Sequence, residues 1–114
     1  MTKINLHNKM FTCLSNSTGG LVDAETVFHY RQEENLVWGT YRGGAIKLGT
    51  LLARIENNGK LTMNYQHINS DGDFMTGVCA SSIETMPDGK YRLHENWQWT
   101  VNDFAEGKSV LEEI

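Results

Sequence analysis

Two segments of this 114-residue sequence hold most of the side chains that could do chemistry. Tyr65-Gln66-His67 sets a phenol and an imidazole two residues apart, and Glu95-Asn96-Trp97-Gln98-Trp99 sets a carboxylate two and four residues from a pair of indoles. On a β-strand, residues separated by two share a face. Each segment would therefore present its chemistry to one side. Such an imidazole and carboxylate could serve as base and acid on a bound molecule. Aromatic walls with a few converging polar groups equally describe a small-molecule pocket. Burying Glu95 is costly unless the carboxylate is paired or protonated. Arg54 is the candidate for a structural ion pair with it. The alternative is a carboxylate with a perturbed pKa that orients a ligand or moves a proton. His67 has matching alternatives, a hydrogen-bonded core histidine or a base. Tyr30 and Trp38 complete the candidate ligand-binding set of Tyr30, Trp38, Arg54, Tyr65, His67, Glu95, Trp97 and Trp99.

Other chemistries find little support. There is no G-x-S-x-G elbow for a nucleophilic serine, and the expected strand register turns Cys79 away from the polar cluster. That register brings Cys79, His67 and His94 to no common face, so neither a metal site nor a catalytic set is expected. Gly19-Gly20 and Gly43-Gly44 are turn signals with no helix behind them, unlike a phosphate-cradling loop. No cofactor is implied. With ten basic and fourteen acidic residues and a net charge of -4, the chain is poorly suited to neutralising a nucleic-acid backbone. Cys13 and Cys79 lie far apart, outside any C-x-x-C spacing, and read as reduced thiols in a cytoplasmic protein. No signal-like start is present, nor an apolar run approaching about 18 residues, so neither secretion nor a membrane partner is expected.

The elements that must position these residues are strands. Runs rich in Val, Ile, Thr, Tyr, Phe and Trp recur between turn signals, with eleven glycines and one proline in the chain. Strands are expected near 9–15, 26–32, 36–42, 45–56, 60–69, 73–86, 90–100 and 108–114, with helical periodicity nowhere convincing. The length suits one domain over residues 1–114. Eight sequential antiparallel strands leave two exposed edges unless the sheet closes. The expected fold is thus all-β, an eight-stranded antiparallel up-and-down barrel, whose interior is either just filled or able to hold one small ligand.

Asn58-Gly59, Asp71-Gly72 and Asp88-Gly89 suggest two-residue type I′ hairpin turns. These would pair Asn57 with Lys60, Ser70 with Asp73 and Pro87 with Lys90. Counting back from them places four rows on the inner face: Thr50–His67–Thr76, Leu52–Tyr65–Val78–Trp99, Arg54–Met63–Ala80–Trp97 and Glu56–Leu61–Ser82–Glu95. Ile46, Leu48, Phe74 and Leu93 join them. Leu51, Ile55, Ile68 and Met75 become exposed apolar residues suited to self-association. For the second hairpin, a three-residue loop with Asn35 left-handed would gather Phe28, Tyr30, Leu36 and Trp38 inside. A bulged or longer connection is expected at Gly43-Gly44. The parity of the first and last strands stays open.

At Val27-Phe28-His29-Tyr30-Arg31-Gln32, Tyr65-Gln66-His67-Ile68-Asn69 and Leu93-His94-Glu95-Asn96-Trp97-Gln98-Trp99-Thr100, the sequence resembles a family of small bacterial proteins with an avidin-like, calycin-type barrel. The resemblance runs from Asn8 through Ile114 and implies that fold. Members often carry the label N-acetylglutamate synthase, but the family implies no catalytic residues. This chain has no Q/R-x-x-G-x-G/A loop opening a helix, which that acetyl transfer requires to hold its coenzyme. No avidin-type biotin pattern is matched either, so biotin is not implied. The resulting expectation is a non-enzymatic, homo-oligomeric barrel binding a small, partly apolar molecule between Trp38, Trp97 and Trp99, oriented by Tyr65, His67 and Glu95. Two alternatives stay open: an enzyme using His67 and Glu95 as acid and base, and a packed barrel acting through an oligomeric or partner interface.

Overall fold

The computed structural model describes residues 4–114. Eight strands follow in order: β1 (Lys9–Asn16), β2 (Val27–Glu33), β3 (Leu36–Gly43), β4 (Ile46–Ile55), β5 (Leu61–Asn69), β6 (Phe74–Thr85), β7 (Tyr91–Trp99) and β8 (Glu106–Glu113). Each pairs antiparallel with its sequence neighbour, and β1 pairs with β8 to close the barrel. Closure removes both free edges. The expected strands are all present, with ends displaced by one or two residues.

The register differs from expectation, and the turns explain why. A type I′ turn needs positive φ at two successive residues. Here only the glycines take it: Gly59 at 83°, Gly72 at 86° and Gly89 at 88°. A type I turn followed by one left-handed glycine places three residues in the loop. Thus Glu56 N donates to Lys60 O at 2.8 Å, Asn69 N to Asp73 O at 3.0 Å and Met86 N to Lys90 O at 2.7 Å. Each hairpin slips by one residue relative to the two-residue turn, and a one-residue slip exchanges the faces of a strand. Successive slips cancel, so β5 and β7 keep the expected parity while β4 and β6 are reversed.

The inner face therefore carries Leu51, Ala53 and Ile55 on β4, and Gly77, Cys79, Ser81 and Ile83 on β6. Thr50, Leu52, Arg54, Thr76, Val78, Ala80 and Ser82 face outward. Leu48 and Phe74 are likewise exposed rather than internal. Of the apolar residues expected outside, Leu51 is buried and Ile55 and Met75 pack against the core, while Ile68 is half-buried and outside the core cluster; Leu36, Leu52 and Val78 are exposed instead.

The β2–β3 connection is the two-residue Glu34-Asn35, with Glu34 at φ 53° and Glu33 opposite Leu36. The three-residue loop expected there does not form. Phe28 and Tyr30 still point inward, but Leu36 and Trp38 point out. The bulge expected near Gly43-Gly44 is present, since pairing skips a residue between Tyr41 and Gly43 and again between Ile46 and Leu48. A further bulge between Cys13 and Ser15 leaves both Leu14 and Ser15 exposed and breaks the alternation of β1.

One end of the barrel is plugged. Leu6 folds under it, its N–H held by Gln32 Oε1 at 2.8 Å, and packs with Phe11, Val37, Leu61, Leu93 and Leu111, all fully buried. The other end, where β1 meets β2 and β7 meets β8, holds the cavity.

Candidate functional site

Three inward glycines make the room. Gly49 pairs with Tyr41, Gly77 with Tyr65 and Gly107 with Trp97. In each pair the aromatic ring occupies the space that a glycine Cβ would need. Aromatic rings placed over glycines on the sheet stabilise positions that have no side chain of their own. They also draw large groups to the wall, leaving the axis of the barrel open.

The rings form a continuous belt. Phe28 stacks on Tyr41 at 4.8 Å between centroids; Tyr41 meets His67 edge-on at 5.7 Å, His67 meets Trp99 at 5.6 Å, and Trp99 meets Trp97 at 5.6 Å. Tyr65 abuts Trp99 at 5.8 Å. Such edge-to-face contacts fix ring orientation beyond what area burial alone supplies. The cavity is compact, with a volume of about 40 Å³. That admits a compact molecule and excludes a drug-sized one unless the walls move.

His67 is buried, and its Nδ1 lies 2.9 Å from Tyr41 Oη. Were Nδ1 the donor, the hydroxyl proton of Tyr41 would be left without an acceptor. The economical arrangement has Tyr41 donating to Nδ1, which puts the imidazole proton on Nε2. Nε2 has no partner among the described residues, although His67 lines the cavity. Burial pushes the imidazole down to about 4, so the ring is neutral at physiological pH. The cavity wall thus carries an unanswered N–H donor.

Glu95 lies two residue pairs deeper along β7 than Trp99. Its cross-strand neighbours are Ser81 on β6 and Ser109 on β8. Ser109 Oγ donates to Glu95 Oε1 at 2.9 Å, and Ser81 and Cys79 also face the carboxyl. Desolvation outweighs these hydrogen bonds and raises the carboxyl to about 7. Arg54 does not answer it. That guanidinium is on the outer face, where Nε donates to Glu56 Oε2 at 2.8 Å. The expected Arg54–Glu95 pair is absent because the slipped β4–β5 hairpin turned Arg54 outward. Tyr30 is buried within electrostatic reach of Glu95, and its hydroxyl is also without a partner among the described residues.

Of the eight candidate ligand-binding residues, Tyr65, His67, Glu95, Trp97 and Trp99 line the cavity, and Tyr30 lies behind it. Trp38 and Arg54 stand on the outer surface, reversed by the shorter β2–β3 turn and the longer β4–β5 turn. A family model described as avidin-like protein matches residues 4–114. The chain belongs to the avidin-like family. Neither a curated protein nor a solved structure matched it.

Several lining residues of this avidin-like barrel escaped sequence inspection. Tyr41, Leu51 and Cys79 were hidden by the reversed strands; Phe28 had the right face but no polar atom to mark it. Cys79 faces inward, contrary to expectation, with Sγ 3.5 Å from Ser81 Oγ. Burial first and Glu95 second raise its thiol well above the usual range, so it stays protonated and is a poor nucleophile. The connection after β1 also closes over the mouth. Leu21 and Val22 line the cavity there, and Asn16 joins them: Asn16 Nδ2 donates to Val22 O at 3.0 Å while Asn16 Oδ1 accepts from Trp97 Nε1 at 2.9 Å. Among the described residues, no three His, Cys, Asp or Glu side chains converge to hold a metal ion.

Proposed function

We propose that this avidin-like barrel is a non-enzymatic binding protein that holds one small, partly apolar molecule against Trp97, Trp99 and Tyr65. The observation that carries this is the aromatic cavity lined by Trp97, Trp99 and Tyr65, to whose wall His67 adds a ring with a buried Nε2 that has no hydrogen-bond partner among the described residues. An unmade hydrogen bond in a buried site costs about 1–3 kcal/mol, which a ligand acceptor would recover. Tyr65, His67, Glu95, Trp97 and Trp99 are the proposed contacts, with Tyr30 behind Glu95. The single barrel is the proposed functional unit. Two free, buried thiols support a reducing, cytoplasmic setting, and the cross-strand neighbours Trp38 and Leu52, with Leu36 beside them, offer an outer face for self-association.

Native mass spectrometry of protein purified from its own host, followed by release of any retained molecule, tests the proposal. A stoichiometric small molecule is the expected result. Bare protein with no thermal shift across a broad metabolite library would overturn it. The placement of Glu95 in the cavity wall favours a second reading, acid–base catalysis, since burial raises its carboxyl to about 7, where a general acid or base works best. Chemical alteration of the retained molecule on incubation would establish that reading instead.

A further inference from the structure

We propose that the cavity takes a small organic cation, with its ammonium head against the Glu95 carboxylate, aromatic faces around it, and an oxygen on the same molecule accepting from His67 Nε2. This rests on the binding-barrel reading and names the ligand class.

Charge accounting comes first. Among the described residues, Glu95 is the one acidic side chain in the cavity wall, and no Lys or Arg lines it. Arg54 is committed to Glu56 and Arg92 to Glu112 at 3.3 Å, both outside. Lys9 sits at the plugged end, 3.6 Å from Glu113. The groups facing Glu95 from around the barrel are Cys13 on β1, Tyr30 on β2, Tyr41 on β3, Tyr65 on β5, Cys79 and Ser81 on β6, and Ser109 on β8; β4 contributes only apolar side chains to the cavity wall. None is cationic, and all are neutral at physiological pH. A buried carboxylate without a counter-charge calls for a cation or a proton.

The walls select the first. Ring faces attract cations through their quadrupole, most strongly at Trp, and desolvation strengthens the effect. Phe28, Tyr41, Tyr65, Trp97 and Trp99 supply five rings to one cavity. His67 adds the oxygen requirement, since a cation lacking an acceptor would leave its Nε2–H unpaired. The proton that Glu95 holds up to about 7 is then the species the ligand displaces, so binding releases a proton to solvent as the carboxyl becomes carboxylate.

The test uses two matched pairs on the intact protein: ethanolamine against propan-1-ol, and choline against its uncharged carbon counterpart, 3,3-dimethylbutan-1-ol. Binding is read by tryptophan fluorescence and by NMR shifts of the Trp97 and Trp99 indole N–H. The expected result is that at least one cation binds tenfold or more tighter than its neutral partner. Its affinity should rise about tenfold from pH 6 to pH 8 in the wild type, following ionisation of a group near 7. Glu95→Gln should abolish both effects. The wild-type pH series stands by itself if that variant fails to fold. Equal binding of alcohols and cations at the same indoles would overturn the cation proposal and leave the binding barrel intact. Cation binding indifferent to both pH and Glu95→Gln would also overturn it. No binding by these four probes or by a broad metabolite library would sink both readings.

Discussion

Tyr41 and Gly49 face each other directly across β3 and β4, and the phenol ring fills the space where a side chain at position 49 would begin. The same ring holds His67 through its hydroxyl. A glycine on β4 thus sets, through a ring on β3, the orientation of the imidazole opposite it on β5. Gly49→Ala should push Tyr41 toward the axis, cost about 1–3 kcal/mol by overpacking, and break the Tyr41–His67 hydrogen bond. Urea denaturation measures the first effect and the His67 ring NMR signals the second. A variant with wild-type stability and unchanged His67 shifts would show that the ring has room to spare.

Tyr41→Phe isolates the hydroxyl. Without it His67 Nδ1 loses its partner, and an unsatisfied buried polar atom costs about 1–3 kcal/mol. In the wild type, nitrogen-15 correlation spectra of His67 should show the proton on Nε2. In Tyr41→Phe that preference should weaken. A wild-type proton on Nδ1 would reverse the hydrogen-bond direction argued above and remove the unanswered donor.

The alternation of the strands was legible in the sequence, and so was the chemistry on β5 and β7, because Tyr65, His67, Glu95, Trp97 and Trp99 share faces by simple counting. What failed was the turn. Asn58-Gly59 fits both a two-residue loop with two left-handed residues and a three-residue loop with one, and the choice reverses the side chains of β4 from Leu48 onward, the bulge keeping Ile46 inside. Arg54 was misplaced for that reason, Cys79 by the same ambiguity at the Asp71-Gly72 and Asp88-Gly89 turns that flank β6, and Tyr41 went unnoticed because the shorter β2–β3 turn reverses β3. The distinction is measurable. Gly59→Ala, Gly72→Ala and Gly89→Ala should each cost about 1–2 kcal/mol, since each glycine is left-handed. Asn58→Ala should cost less, losing only the bond that Asn58 Oδ1 accepts from Lys60 N. Equal losses at positions 58 and 59 in thermal denaturation would favour the two-residue turn.

Glu95 and His67 should tilt the pH dependence of stability in opposite directions. Glu95 titrates near 7 in the fold against about 4.5 in the unfolded chain, so the native state binds more protons between these values. Its contribution is fully present below about 4.5 and is lost as pH rises through 7. His67, lowered from 6.5 to about 4, does the reverse: the unfolded chain takes up the proton, and stability falls as pH drops from 6.5 toward 4. Glu95→Gln removes the first effect only. Relative to wild type, that variant should gain about 2–3 kcal/mol on going from pH 5 to pH 8. A constant difference across that range would mean that Glu95 is not desolvated.

The strap over the mouth hangs on indole N–H groups. Trp97 Nε1 donates to Asn16 Oδ1, whose amide holds Val22 O, and Trp99 Nε1 donates to Gly19 O at 3.3 Å. Trp97→Phe keeps an aromatic ring over Gly107 but removes the donor at the root of this chain. Loss of a net hydrogen bond worth about 1 kcal/mol should speed local opening several-fold. Hydrogen exchange at Gly20 and Thr26, whose amides bond within the connection, is expected to quicken, with the β5 amides unchanged. Uniform acceleration across the barrel would instead mean that the indole stabilises the whole fold. No change at Gly20 or Thr26 would mean that the strap is held by its own backbone turns.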